Sequence, residues 1–151
     1  GLDFVACAPK KYFPEAGLTE TCKTLAKQSG GSITQTDDIL AGVADADVIY
    51  TDVWVSMGEP ADVWAERIRD LSPYQVNAAV MAKAKPGAIF LHCLPSFHDL
   101  NTAIGREMGE KFGITAMEVT NDVFESAQSR VFDEAENRMH TIKAVMTATL
   151  A

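Results

Sequence analysis

The run His92-Cys93-Leu94-Pro95 puts an imidazole and a thiol directly after the apolar stretch Ala88-Ile89-Phe90-Leu91. Preceded by Lys85-Pro86-Gly87, that stretch reads as a buried strand, and open α/β sheets bind ligands at the carboxyl ends of their strands. A second apolar run, Asp47-Val48-Ile49-Tyr50-Thr51, leads in the same way into Asp52-Val53-Trp54-Val55-Ser56-Met57-Gly58-Glu59, which supplies a carboxylate, a hydroxyl and a turn glycine. If the two strands are parallel, both loops open on one rim. Asp52 alone is an ordinary turn residue. Together with Ser56 and the backbone around Met57-Gly58, it forms a set of donors and acceptors suited to the α-ammonium and carboxylate of an amino acid. Arg138, early in the last helical stretch, adds a cation where the macrodipole disfavours one by roughly 0.3–1 kcal/mol unless an anion is near. An anionic ligand would answer that. Glu134, one helical turn earlier, is the simpler partner.

Cys93 admits rival chemistries. Free cysteines are ordinarily buried and inert, and Cys7 on a strand and Cys22 on a helix face read that way. Cys93 differs by position, beside His92 and five residues before His98, a setting that can lower a thiol pKa. A zinc site would want Cys93, His92 or His98 and further ligands, but no second cysteine is near and CxxC spacing is absent, so no metal is expected. A cysteine hydrolase would take His98-Asp99 as base and orienting carboxylate, although Leu94-Pro95 offers little oxyanion hole. His140 reads as a structural histidine and Trp54 as packing. There is no GxxxxGK or GxGxxG phosphate cradle, so Gly30-Gly31 is a helix stop.

The elements that must position these residues alternate. Residues 4–8 form a short strand, and Pro14-Glu15 opens a helix whose Leu18, Cys22, Leu25 and Ala26 recur at helical spacing. A polar strand over 32–35 follows, then a short helix capped by Asp37-Asp38 and the strand at 47–51. After the loop, Val63, Trp64, Arg67, Ile68 and Leu71 make an amphipathic stripe broken by Ser72-Pro73. Helices over 77–84 and 104–112, a strand over 116–119 and a last helix over 134–150, with Asp133 and Glu136 as its capping box, complete the order. The last helix carries an apolar face of Met139, Ile142, Val145, Met146 and Leu150. Strands separated by helices predict an α/β, Rossmann-like three-layer domain, with a parallel sheet covered by helices on both faces.

The chain has 151 residues, one domain's worth, enough to bury roughly 70% of the surface its unfolded form exposes. Its net charge of −8 argues against a nucleic-acid surface, and no apolar run approaches the roughly 20 residues of a membrane span. Three widely spaced cysteines suit a reducing cytoplasm better than a disulfide framework. Residues 1–8 read as a strand that begins at once without a basic n-region, as in a chain cut from a longer protein, and not as a signal peptide.

The DxWxSMG loop, the HCLP loop about forty residues later and Glu136-Asn137-Arg138-Met139-His140 occur in an order and spacing that resembles the ornithine carbamoyltransferases. The resemblance runs the length of the chain but only to the second half of such an enzyme, so residues 1–151 would be its ornithine-binding domain, lacking an initial strand and helix. The Ser-Thr-Arg-Thr phosphate loop, the His-Pro-x-Gln segment and an ornithine-holding Asn have no counterpart here. The resemblance implies transfer of a carbamoyl group from carbamoyl phosphate to the δ-amine of L-ornithine, in arginine metabolism, with no cofactor. It implies that Asp52, Ser56 and Met57 hold the ornithine backbone, that Cys93-Leu94 lies beside the reacting amine, and that Arg138 contacts carbamoyl phosphate. It also implies partnership with the missing N-terminal domain and a trimeric assembly. The alternatives are a non-catalytic amino-acid-binding module, or a carbamoyltransferase for putrescine or an acylated ornithine.

Overall fold

A computed structural model describes residues 1–56, 59, 60 and 62–150. Four parallel strands form the frame: β1 (Asp3–Cys7), β2 (Ser32–Thr36), β3 (Val48–Thr51) and β4 (Ile89–His92). The α/β class with parallel strands is as expected. The hydrogen bonding, however, runs in two ladders, β1 with β2 and β3 with β4. Between β1 and β3 lies a cleft of about 480 Å³, lined from the two strands by Val5, Cys7, Ile49 and Thr51 among others. β4 gains a second neighbour through backbone bonds from Phe90 N to Gln128 O (2.9 Å) and from Arg130 N to Phe90 O (2.9 Å).

Among the described residues seven α-helices accompany the strands: α1 (Ala16–Ser29), α2 (Ile39–Val43), α3 (Val63–Leu71) and α4 (Ala78–Met81) between them, and α5 (Ala103–Phe112), α6 (Asn121–Phe124) and α7 (Val131–Leu150) after β4. Local chemistry sets several of their ends. Asp38 caps α2 by accepting from Leu40 N and Ala41 N, Thr102 caps α5 through Gly105 N, and Gly30 ends α1 at φ 78°, in the left-handed region that glycine enters freely.

Four details depart from the sequence pattern. The strand over 116–119 reduces to a parallel bridge of Val119 to Val76, because each edge of that segment finds only one residue to pair with. The helix over 77–84 tightens to the four residues of α4. α7 starts at Val131, whose side chain is buried in the core, and Glu134 N already bonds to Arg130 O (2.9 Å), so Asp133 sits in the first turn and forms no capping box. In α1 it is Thr19 that is buried, while Leu18 and Leu25 face outward. A hydrogen bond from Gln35 Nε2 on β2 to Thr19 Oγ1 (3.1 Å) accompanies that rotation of the helix.

The core has two centres. Ile49 and Phe90 from β3 and β4 pack with Val43, Val76, Val80, Met81, Val119, Val123, Phe124 and Val131. Trp54, Ile68, Met108 and Met117 form the second cluster, under the loop that follows β3. Trp54 is thus a packing residue, as expected. Cover over the strands is uneven: α7 touches β4, but Phe4, Val48 and Tyr50 present an open face. The apolar side of α7 is also uncovered, with Met139, Ile142, Val145, Met146 and Leu150 all exposed. No helix among the described residues is long and apolar enough to cross a membrane.

Candidate active site

The register of β3 and β4 builds the site. Thr51 lies opposite His92, so the next residue of each strand, Asp52 and Cys93, emerge side by side at the shared carboxyl end. Cys93 Sγ donates to Asp52 Oδ1 at 3.0 Å, and the same oxygen accepts from Val53 N at 2.7 Å. The two loops therefore do open on one rim. Ser56 follows on the exposed loop, where its N–H donates to Glu59 Oε2 at 2.6 Å. Met57 lies outside the described residues.

The HCLP turn is held from below. His92 is fully buried and points away from Cys93. Its Nδ1 accepts from Leu94 N at 2.9 Å, which leaves Nε2 to carry the ring proton and donate it to Glu118 Oε1 at 3.1 Å. Glu118, also fully buried, receives two further bonds on Oε1, from Phe97 N (2.7 Å) and Ser96 Oγ (3.0 Å). Leu94 turns at φ 52° against this support, and its side chain packs on the first core cluster. His98 is engaged elsewhere: its Nδ1 meets Asn121 Oδ1 at 2.8 Å and its ring stacks on Phe124 at 3.6 Å.

This geometry overturns one expectation. Neither imidazole faces the Cys93 sulfur, so neither lowers its pKa. Partial desolvation, followed by the hydrogen bond to Asp52 and that carboxylate's charge, pushes the Cys93 thiol up to about 11. A neutral thiol beside a carboxylate is a donor and a poor nucleophile, which removes the basis for a cysteine hydrolase built on His98-Asp99. Tyr50, two residues before Asp52 and opposite Leu91, is pushed up to about 12 by desolvation, then by the Glu134 carboxylate and by Cys93.

Glu134 thus acts on Tyr50 and, among the described residues, makes no ion pair with Arg138. Arg138 is exposed and without an ion pair among the described residues. With α7 beginning at Val131, Arg138 sits about two turns inside the helix, beyond the first turn in which the macrodipole acts appreciably. The dipole argument for an anion beside it therefore lapses. The structure brings Asp52, Cys93 and Leu94 together, keeps Ser56 on the adjoining loop, and leaves Arg138 one helical turn beyond Glu134. Among the described residues no group of three His, Cys, Asp or Glu side chains is arranged to hold a metal ion.

Residues 1–149 match the family described as aspartate/ornithine carbamoyltransferase, Asp/Orn binding domain. The chain belongs to that family. It is 61% identical over 150 residues to the catabolic ornithine carbamoyltransferase of Treponema denticola, covering 99% of this chain and 44% of that protein. It is 58% identical over 151 residues to the ornithine carbamoyltransferase of Staphylococcus aureus (strain Newman), covering 99% of this chain and 45% of that one. Among solved structures, ornithine carbamoyltransferase from Pyrococcus furiosus superposes with a TM-score of 0.79 at 40% identity, over 97% of this chain and 41% of that chain. The chain thus spans less than half the length of the curated relatives it matches.

Two residues of this Asp/Orn-binding domain escaped the sequence reading. Glu118 stood in an expected strand between Met117 and Val119, where alternation points a charged side chain to solvent. Its only signal was a lone carboxylate inside an apolar segment. Tyr50 read simply as a strand residue. The raised thiol can be checked in this domain within the intact protein. At pH 8, alkylation of Cys93 by iodoacetamide is expected to run roughly a hundredfold slower than that of an ordinary exposed thiol, because the thiolate fraction falls tenfold for each unit of pKa. The sign follows from the raised value: the neutral thiol's contribution to the fold is present below about 9 and lost as the pH climbs through about 11. Asp52→Asn should speed the reaction by removing a negative charge. Peptide-level mass spectrometry against pH reads both effects, and ordinary reactivity of Cys93 below pH 9 would overturn the assignment.

Proposed function

We propose that the chain is the ornithine-binding part of an ornithine carbamoyltransferase, which converts carbamoyl phosphate and L-ornithine to L-citrulline and phosphate. The observation that carries this reading is the pairing of Asp52 with a neutral Cys93 thiol at one rim, beside the Leu94 backbone. Asp52 offers a carboxylate to the substrate's α-ammonium, while Ser56 and Met57 complete the hold on its amino-acid head. Cys93 and Leu94 then flank the side-chain amine. The neutral amine attacks the carbamoyl carbon, a C–N bond forms, the tetrahedral oxyanion collapses, and the C–O bond to phosphate breaks as the departing phosphate takes up the proton that the amine loses. Arg138 supplies positive charge toward the phosphate and the developing oxyanion. The rest of the phosphate site belongs to an N-terminal domain outside these residues.

A thiol held neutral has no part to play as an acyl carrier, so Cys93 orients the amine and no covalent intermediate forms. Cys93→Ser reduces turnover without abolishing it, and a trapped carbamoyl-thioester on Cys93 would contradict this. The three unpaired cysteines suit a cytoplasmic enzyme, and by family likeness the intact protein forms a trimer.

The test is to assay the intact protein with carbamoyl phosphate and, in turn, ornithine, putrescine and N-acetylornithine. Citrulline formed from ornithine in clear preference supports the proposal. Saturable ornithine binding without product would favour a binding module, and preference for either other amine would shift the substrate. Within that enzyme, Asp52→Asn is expected to weaken ornithine roughly ten- to a hundredfold, since charge-assisted contacts are worth about 1.5–3 kcal/mol, and to leave carbamoyl phosphate affinity nearly unchanged. Arg138→Ala should reverse the pattern. Titration calorimetry separates the two ligands, and equal losses for both in both variants would refute this division of roles.

A further inference from the structure

The substrate loop after β3 is tied down by a carboxylate that the proposed chemistry does not use. Glu59 bridges two groups: its Oε2 accepts from Ser56 N at 2.6 Å and its Oε1 accepts from Arg67 Nη2 on α3 at 3.1 Å. A backbone bond joins the same two residues, with Glu59 N donating to Ser56 O at 3.2 Å. Both charged side chains are about two-thirds removed from solvent, at 30% exposure for Glu59 and 31% for Arg67.

Arg67 is itself fixed. Its guanidinium lies over the Tyr12 ring, 4.9 Å from the centroid, and the Tyr12 hydroxyl donates to Asp70 Oδ2 at 3.1 Å. Lys11 pairs with both Asp70 and Glu66, and its hydrogen bond is the foremost cause holding the Asp70 carboxyl down at about 2. The chain of contacts from Ser56 through Glu59, Arg67, Tyr12 and Asp70 to Lys11 therefore joins the loop to α3 and to the turn that follows β1. A guanidinium held over an aromatic ring and hydrogen-bonded to a carboxylate at the same time has few other geometries available.

We propose that Glu59 and Arg67 form a latch that positions the Ser56 loop for substrate, which makes Glu59 a positioning residue for ornithine. This rests on the function proposed above. Without the latch the Ser56 amide loses its acceptor and the loop samples arrangements that do not bind. Affinity then falls by the fraction of time the competent one is lost. The loss concerns the amino-acid substrate, because among the described residues the latch bonds to the Ser56 loop and to no group assigned to carbamoyl phosphate.

The test uses the intact enzyme. Glu59→Met, which removes both acceptor oxygens, is expected to raise KM for ornithine roughly tenfold, with kcat changed less and KM for carbamoyl phosphate within about twofold of wild type. Arg67→Met should give a smaller rise, because the Ser56–Glu59 bond survives, and the double variant should be no worse than Glu59→Met, as expected for groups acting as one unit. The charge-swapped pair E59R/R67E is decisive between latch and plain ion pair: it restores opposite charges but leaves Ser56 N without an acceptor, so ornithine KM should stay raised. Recovery of KM in the swapped enzyme, or equal KM shifts for both substrates, would overturn the proposal. Hydrogen exchange gives a readout independent of turnover, with the amides of residues 53–56 and 59 exchanging faster in Glu59→Met than in wild type. Unchanged exchange there also overturns the latch. If wild type makes no citrulline, the functional reading fails, and the exchange comparison alone decides the latch.

Discussion

Replacing Glu118 with leucine is expected to lower the unfolding free energy of the intact protein by about 3–5 kcal/mol, the usual cost of removing one member of a buried charged network. The side chain is fully buried, and its Oε1 is the acceptor for His92 Nε2, Ser96 Oγ and Phe97 N. Leucine fills a similar volume but accepts nothing, so the buried His92 donor would be left unpaired at about 1–3 kcal/mol, with the part-buried donors of Ser96 and Phe97 adding a smaller cost. Glu118→Gln keeps a carbonyl where Oε1 lies and places its amide where Oε2 has no partner among the described residues. It should therefore cost much less. Denaturant melts of both variants measure the difference, and a leucine variant within about 1 kcal/mol of wild type would mean that the HCLP turn stands without Glu118. Because the same network sets the Leu94 turn, the surviving folded fraction of the leucine variant should also bind ornithine weakly.

Residues 1–151 expressed by themselves are expected to form no citrulline and to self-associate. Arg138 is the one cation in this chain that the proposed mechanism assigns to carbamoyl phosphate, and a single guanidinium does not neutralise a phosphate and an oxyanion together. The proposed partner domain must bring the rest. The second half of the prediction comes from surfaces the chain leaves open: Met139, Ile142, Val145, Met146 and Leu150 along α7, and Phe4, Val48 and Tyr50 on the strands. Contiguous apolar faces of this kind drive association when nothing covers them. Citrulline assays and size-exclusion profiles across a concentration series test both halves, and measurable turnover by a clean monomer would refute them together.

Much of the site was legible because it sits at strand ends, where sequence signals are strongest. Apolar runs bounded by turn residues located β3 and β4, and side-chain types after each run named Asp52, Ser56 and Cys93 as candidates, with Leu94 added by the family resemblance. Helix ends written in single residues, such as Asp38 before α2 and Gly30 after α1, were legible for the same local reason. The start of α7 was not. Asp133 and Glu136 have the spacing of a capping box, but burial of Val131 extends the helix upstream and overrides it. Likewise the face of α1 was misjudged, since periodicity identifies a stripe of apolar residues but not whether another layer will meet it.

The sequence by itself determined the α/β order, the parallel pairing, the carboxyl-end rim and the family, because each depends on patterns local in the chain or on motifs read in order. Only the tertiary structure decided the charge state and orientation of the groups on that rim. The imidazole next to Cys93 in sequence turns into the core to meet Glu118, 26 residues away, and the group that governs the thiol is Asp52, 41 residues upstream. Side chains alternate along a strand, so His92 and Cys93 are adjacent in the chain yet face opposite ways, while parallel register sets Cys93 against a residue of another strand. Electrostatics falls off with distance through space, and that distance exists only once the strands have paired.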